Sequence, residues 1–250
     1  MKDTQPIPLV VPRNFRLICE LFGVPVAAFI QLFLDHYSFM DLHLKDNSSY
    51  NLATRGISFV NHLVKTEKTP SLMLDKSERD LGVKLTQRQV KIAVNRNYSI
   101  AERRNKGRVI TGQLYDLFAK KVMLKDTLYL DENTCFKLSK DLLLTCILNN
   151  IHPARCINTV MEQVSIPNYL ATMHLDRGTY NPILGFILRV QDGYGNIIDW
   201  EYRHTAAFQQ FIMELQELNK RYFFYRSLDR RTAIYHTWLD DFLENRDKDL

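Results

Sequence analysis

Paired cysteines are missing from this chain. Its four cysteines, Cys19, Cys135, Cys146 and Cys156, show no CxxC spacing in 250 residues. That excludes the common zinc and dithiol patterns and leads us to expect buried, reduced thiols in a cytoplasmic protein. Long apolar runs are missing as well. The longest, from Val24 to Leu34, is interrupted by Gln31 and falls short of the ~20 residues a helical span needs. The opening MKDTQPIPLVVPRN has no continuous apolar core, so neither a secretory signal nor a membrane partner is expected. No phosphate-binding glycine loop, GxSxG or HExxH occurs. The seven histidines are scattered singly, so no metal, cofactor or catalytic residue is expected, and the protein is read as not an enzyme.

What is present is a pair of similar segments. VPRNFRLICELFGVPVAAFIQLFLDHYSF (Val11 to Phe39) aligns without gaps to LSKDLLLTCILNNIHPARCINTVMEQVSI (Leu138 to Ile166), 127 residues later. Leu17, Cys19, Leu21, Ala27, Ile30 and Ser38 fall on Leu144, Cys146, Leu148, Ala154, Ile157 and Ser165. Each copy reads as two helices around a turn. Phe15, Ile18, Cys19 and Phe22 follow the spacing of one buried stripe. Gly23 ends the first helix, and Asn150, the next-best residue for a left-handed backbone, replaces it in the second copy.

An extended segment followed by helix, turn and helix resembles the ribbon-helix-helix family, present here as a tandem over about 6–39 and 133–166. That resemblance implies a strand pair laid in the DNA major groove. On the alignment Pro8, Val10 and Pro12 would face DNA in one copy, and Cys135, Lys137 and Ser139 in the other. Only Lys137 and Ser139 carry groups able to read base edges. The hairpins are therefore expected to be packing modules.

Charge is the second signal. Net charge is +5, but Lys76 to Lys125 holds 13 Lys/Arg against 4 Asp/Glu, which is +9 and leaves −4 for the remainder. Such a local excess points to an anionic partner. The candidate nucleic-acid-binding residues are Lys84, Gln87, Arg88, Lys91, Asn95, Arg96, Arg103, Arg104, Lys106 and Arg108. Thr86 is expected to cap a helix over 87–95 in which Val90, Ala93 and Val94 pack inward. Arg88, Lys91 and Asn95 would then share the outer face, as a recognition helix requires. SERDLGVK before it resembles the first helix and turn of a helix-turn-helix, out of register by about two residues. RRNKGR, 103–108, reads as a basic turn.

Elsewhere, 51–65 reads as a helix, 67–71 as a loop, 109–122 as a helix and 127–139 as a short hairpin turning near Asp131 to Asn133. Residues 182–202 fit either strands or short helices. Phe208, Phe211, Ile212, Leu215, Leu218 and Tyr222 form one helical stripe, and Tyr235, Trp238, Leu239 and Phe242 form another. Arg203-His204-Thr205 with Tyr235 is similar to a tyrosine-recombinase set, but Trp200 stands where that set has a histidine. The expected fold is mainly α, with two related hairpins, a C-terminal helical pair and minor strands. The expected division is 1–66, a basic insertion 67–130, and 131–250. The expected function is association with nucleic acid, most readily DNA, in an accessory or regulatory role. The alternative is a scaffold whose apolar hairpins mediate assembly, with an acidic protein or a second copy as partner.

Overall fold

The computed structural model describes residues 7–44, 46–64, 74–122, 124–172 and 181–246. The loop expected over 67–71 lies outside them. The chain is mainly helical, as expected, with one two-stranded antiparallel sheet among the described residues. It forms two units with interleaved segments. One comprises the residues up to Val11 and Ala27–Met161; the other comprises Pro12–Val26 and Glu162–Leu250.

The first helix of the chain, α1 (Arg13–Leu21), belongs to the second unit. It buries Phe15, Ile18 and Cys19, and its C-cap Phe22 completes the stripe the spacing predicts. Gly23 follows at φ +62°. The Gly23 N–H donates to the Glu20 carbonyl at 3.1 Å and the Val24 N–H to the Cys19 carbonyl at 2.8 Å. These paired bonds satisfy carbonyls that a helix end otherwise leaves open.

The first unit then contains α2 (Val26–Asp35) from Ala27 onward, a 3₁₀ turn at Phe39–Leu42 and α3 (Ser49–Leu63). Next come α4 (Lys76–Val94) and α5 (Ile100–Ala119). The strands β1 (Thr127–Tyr129) and β2 (Cys135–Lys137) follow, and then α6 (Lys140–Asn149) and α7 (Pro153–Glu162). The hairpin turns where expected: Asp131 Oδ1 accepts from the N–H groups of Asn133 and Thr134, both at 2.8 Å. Leu128 pairs with Phe136, and both are buried on one face.

Between α6 and α7, Asn150 sits at φ 52°. Its N–H donates to Ile147 at 3.2 Å and the Ile151 N–H to Cys146 at 3.0 Å. This is the closure made at Gly23, 127 residues later. β2 pairs with β1, and residues 7–12 are extended, the Leu9 N–H donating to the Tyr129 carbonyl of β1 at 3.4 Å. Asn158 of α7 also holds that extended segment. It accepts from the Val10 N–H at 3.0 Å and donates to the Pro8 carbonyl at 3.1 Å.

The second unit continues with α8 (Ile166–Thr172), α9 (Pro182–Gln191), α10 (Trp200–Arg203), α11 (Ala206–Arg221) and α12 (Leu228–Arg246). The open choice over 182–202 resolves to helices α9 and α10. The Asn181 side chain accepts from the Ile183 and Leu184 N–H groups and Pro182 opens the first turn. Ile183, Phe186, Ile187 and Val190 are then buried at helical spacing. The C-terminal pair is formed: the Phe211 ring lies 5.5 Å from Trp238 and 5.4 Å from Phe242. Thr205 caps α11, and Arg203 lies 4.7 Å over the Trp200 ring. Three of the four cysteines are buried; Cys135 is exposed.

Candidate nucleic-acid interface

The basic segment forms a helical pair, α4 and α5, in the first unit. Both helices begin at reciprocal caps. Asp75 accepts from the Glu78 N–H at 2.8 Å while Glu78 accepts from the Asp75 N–H at 2.9 Å. Ser99 and Glu102 repeat this arrangement at α5. Each box satisfies two donors that a helix start leaves open.

Three expectations are corrected here. Thr86 is not a cap: α4 starts ten residues earlier, at Lys76, and the Thr86 hydroxyl donates back to the Gly82 carbonyl at 2.9 Å. SERDLGVK is no helix and turn, because α4 runs unbroken through Gly82. RRNKGR is no turn, because it lies inside α5. The signals D-x-x-E at Asp75 and S-x-x-E at Ser99 would have placed both starts.

The buried face of α4 also differs from expectation. Leu85, Gln89 and Ala93 are buried, whereas Val90 and Val94 are 43% and 68% exposed. The position of α5 decides this. Leu85 joins Ile110, Leu114 and Leu144 in one apolar cluster, and Gln89 donates to Thr111 Oγ1 at 3.2 Å. Gln89 can be buried because it finds that partner.

The ten candidate residues separate into three groups. Lys84, Arg88 and Lys91 are exposed on α4 and fall within an arc of about 60°, given 3.6 residues per turn. None of them makes an ion pair within 4.0 Å among the described residues. One carboxylate, Asp80, stands a turn before Lys84. Gln87 flanks the strip, and half-buried Asn95 and exposed Arg96 continue past the helix end.

Arg103 and Arg104 form the second group and bind the chain itself. Arg103 donates to the carbonyls of Tyr98 at 3.0 Å and Ala93 at 3.3 Å, closing the end of α4. Arg104 grips Asp41 with two bonds, both 2.7 Å. It also reaches Asp46 at 2.7 Å and Ser48 Oγ at 2.8 Å. The Asp41 carboxylate is fully buried, with 0% side-chain exposure, and the Arg104 side chain is 12% exposed. The guanidinium also lies 4.5 Å over the Tyr50 ring.

Lys106 and Arg108 form the third group. They are two positions apart on α5 and point about 200° apart around its axis. Lys106 Nζ lies 4.7 Å over Tyr98, and the Arg108 guanidinium 5.8 Å from the Tyr50 ring. Arg108 acts on Asp141 of α6, which accepts from the Phe39 N–H at 2.9 Å. Burial pushes that carboxyl up to about 6. The Phe39 N–H and the Arg108 charge pull it down, and the Asp41 charge adds to the rise.

Between the groups, Gly107 is where α5 meets the 3₁₀ turn. A Cβ there would lie 2.4 Å from Met40 Cε and 3.0 Å from Met40 Cβ.

Beside the α4 strip runs an apolar groove of about 690 Å³, lined by Leu74, Gly82, Val83, Val90 and Phe118, with Arg79, Thr86, Gln87 and Lys91 completing the lining. Nothing in the charge pattern announced it. The signal was the spacing of Val83 and Val90, seven apart and both exposed.

Family models, curated proteins and solved structures offer no match to this chain.

Proposed function

We propose that this protein associates with nucleic acid, DNA in the first instance, through phosphate contacts from the outer face of α4. The observation that supports this most is the strip Lys84, Arg88 and Lys91, exposed and without an ion-pair partner among the described residues. Seven residues of helix rise about 10 Å. One DNA strand carries a charge every ~3.4 Å of axis, so the strip matches about three phosphates. Arg103 and Arg104 drop out of this role because their donors are engaged internally.

About three neutralised phosphates give log K a slope near −3 against log salt, or roughly 60-fold between 50 and 200 mM. Replacing Lys84, Arg88 and Lys91 together by alanine flattens that slope to near zero. Binding that ignores salt, or no binding at all, overturns the proposal.

The second reading is a protein-interaction role. Most apolar residues of α1, α2, α6 and α7 are buried or half-buried, so a surface available for it in the first unit is the α4 groove with its cationic edge. An acidic amphipathic helix would suit that groove. A Val83→Ser/Val90→Ser variant, which leaves the charge of the strip unchanged, would favour this reading if it keeps nucleic-acid binding but loses a protein partner.

A further inference from the structure

The second unit carries a feature that the α4 strip does not explain. Between α11 and α12, and at the first residue of α12, the chain presents Phe223, Phe224, Tyr225 and Leu228, which are 49%, 82%, 43% and 42% exposed. Contiguous exposed aromatics of this kind mark an interaction surface. The turn is also fixed in place. Arg231, only 1% exposed, donates to the carbonyls of Tyr222 at 2.6 Å and Tyr225 at 3.4 Å. Its Nε donates to the Ala171 carbonyl at 2.9 Å, tying the turn to α8. The Tyr225 N–H closes the turn onto Tyr222 at 3.0 Å. A buried arginine thus holds the aromatic side chains out in water.

The surrounding charge is mostly positive. Residues 220–231 contain five Lys/Arg and one Asp. Arg221, Arg226 and Arg230 are exposed, while Lys220 pairs with Glu217 at 2.7 Å.

We propose that this turn is an insertion tip for an anionic membrane surface. Phe223 and Phe224 enter the boundary between headgroups and acyl chains, and Arg221, Arg226 and Arg230 meet lipid phosphates. Aromatic side chains ringed by arginine at a helix–helix turn suit shallow insertion of ~5–10 Å, with attraction to acidic lipid added. Two other occupants fit less well. Successive bases need faces to stack on, but the Phe223 and Phe224 planes stand at 89° and those of Tyr222 and Tyr225 at 86°. A second copy across a two-fold axis would set the same arginines against one another. Among the described residues no single helix is long and apolar enough to cross a membrane, and surface insertion needs none.

Sedimentation of the full chain with vesicles tests the proposal. One set is phosphatidylcholine alone, and the other is roughly seven parts phosphatidylcholine to three of phosphatidylserine. Wild type binds the anionic vesicles at least about tenfold better. Phe224→Ser lowers binding about tenfold, and Phe223→Ser/Phe224→Ser reduces it to background. Both variants keep the wild-type circular dichroism spectrum, and both keep nucleic-acid binding. The α4 triple-alanine variant binds vesicles as wild type does, which separates failure of this proposal from failure of the nucleic-acid one. Four outcomes overturn the tip: no binding to anionic vesicles, unchanged binding by the double variant, loss of vesicle binding in the α4 variant, or a dimer in light scattering that Phe224→Ser abolishes.

Discussion

Helices α4 and α5 share one basic run, yet they use its charge in opposite ways. On α4 the cations Lys84, Arg88 and Lys91 stand in solvent on one face. On α5, Arg103 and Arg104 turn inward, the second to meet a fully buried carboxylate. Lys106 and Arg108 leave the helix on opposite flanks. A count of charges cannot tell an available cation from one already engaged. Side-chain direction and partner do.

The sharpest way to break this contrast is Arg104→Ala. It leaves Asp41 and Asp46 without their cation, so the variant should lose about 3–5 kcal/mol of stability, read from urea denaturation. A loss below about 1 kcal/mol would place Arg104 with the solvent-facing cations of α4.

Asp141 gives the next effect. Its folded carboxyl, raised by burial to about 6 from 3.8, holds its proton more tightly than the unfolded one. Stability therefore falls as pH rises from about 4 to about 6, by up to about 3 kcal/mol. Asp141→Asn keeps an acceptor for the Phe39 N–H and removes the ionisation. It should be more stable than wild type above pH 6, with the gain gone below pH 4. Parallel profiles for the two proteins would refute this.

Gly107→Ala comes third. The added methyl meets Met40 and forces α5 off the 3₁₀ turn, at about 1–3 kcal/mol. An unchanged melting curve would show that Met40 swings aside freely. The smallest effect on stability is expected on α4. Lys84→Ala/Arg88→Ala/Lys91→Ala should stay within about 0.5 kcal/mol of wild type, because no partner is lost.

The parts legible in the sequence were those fixed by local rules. The stripe of α1, the turn at Asp131, the C-terminal pair and the left-handed Gly23 and Asn150 each follow from spacing or backbone preference. The α4 start was written in Asp75 and Glu78, but the periodicity beginning at Thr86 concealed it. What could not be read was tertiary. Gln89 is buried only because Thr111 stands opposite, and Arg104 is consumed only because Asp41 lies 63 residues away in sequence and 2.7 Å in space. The grouping of α1 with the helices after Glu162 has no local signature. Phe223 and Phe224 follow the stripe that ends at Tyr222 and belong to neither helix, so no periodicity marks them as exposed. The turn that carries them is held by Arg231, which donates to the Tyr222 carbonyl.

One measurement bears on the central division most directly: nucleic-acid affinity by fluorescence anisotropy at several salt concentrations. It compares wild type, the α4 triple-alanine variant and Lys106→Ala/Arg108→Ala. The slope is expected near −3 for wild type, close to zero for the α4 variant, and little changed for the α5 variant. A slope lost in the α5 variant and kept in the α4 variant would contradict it.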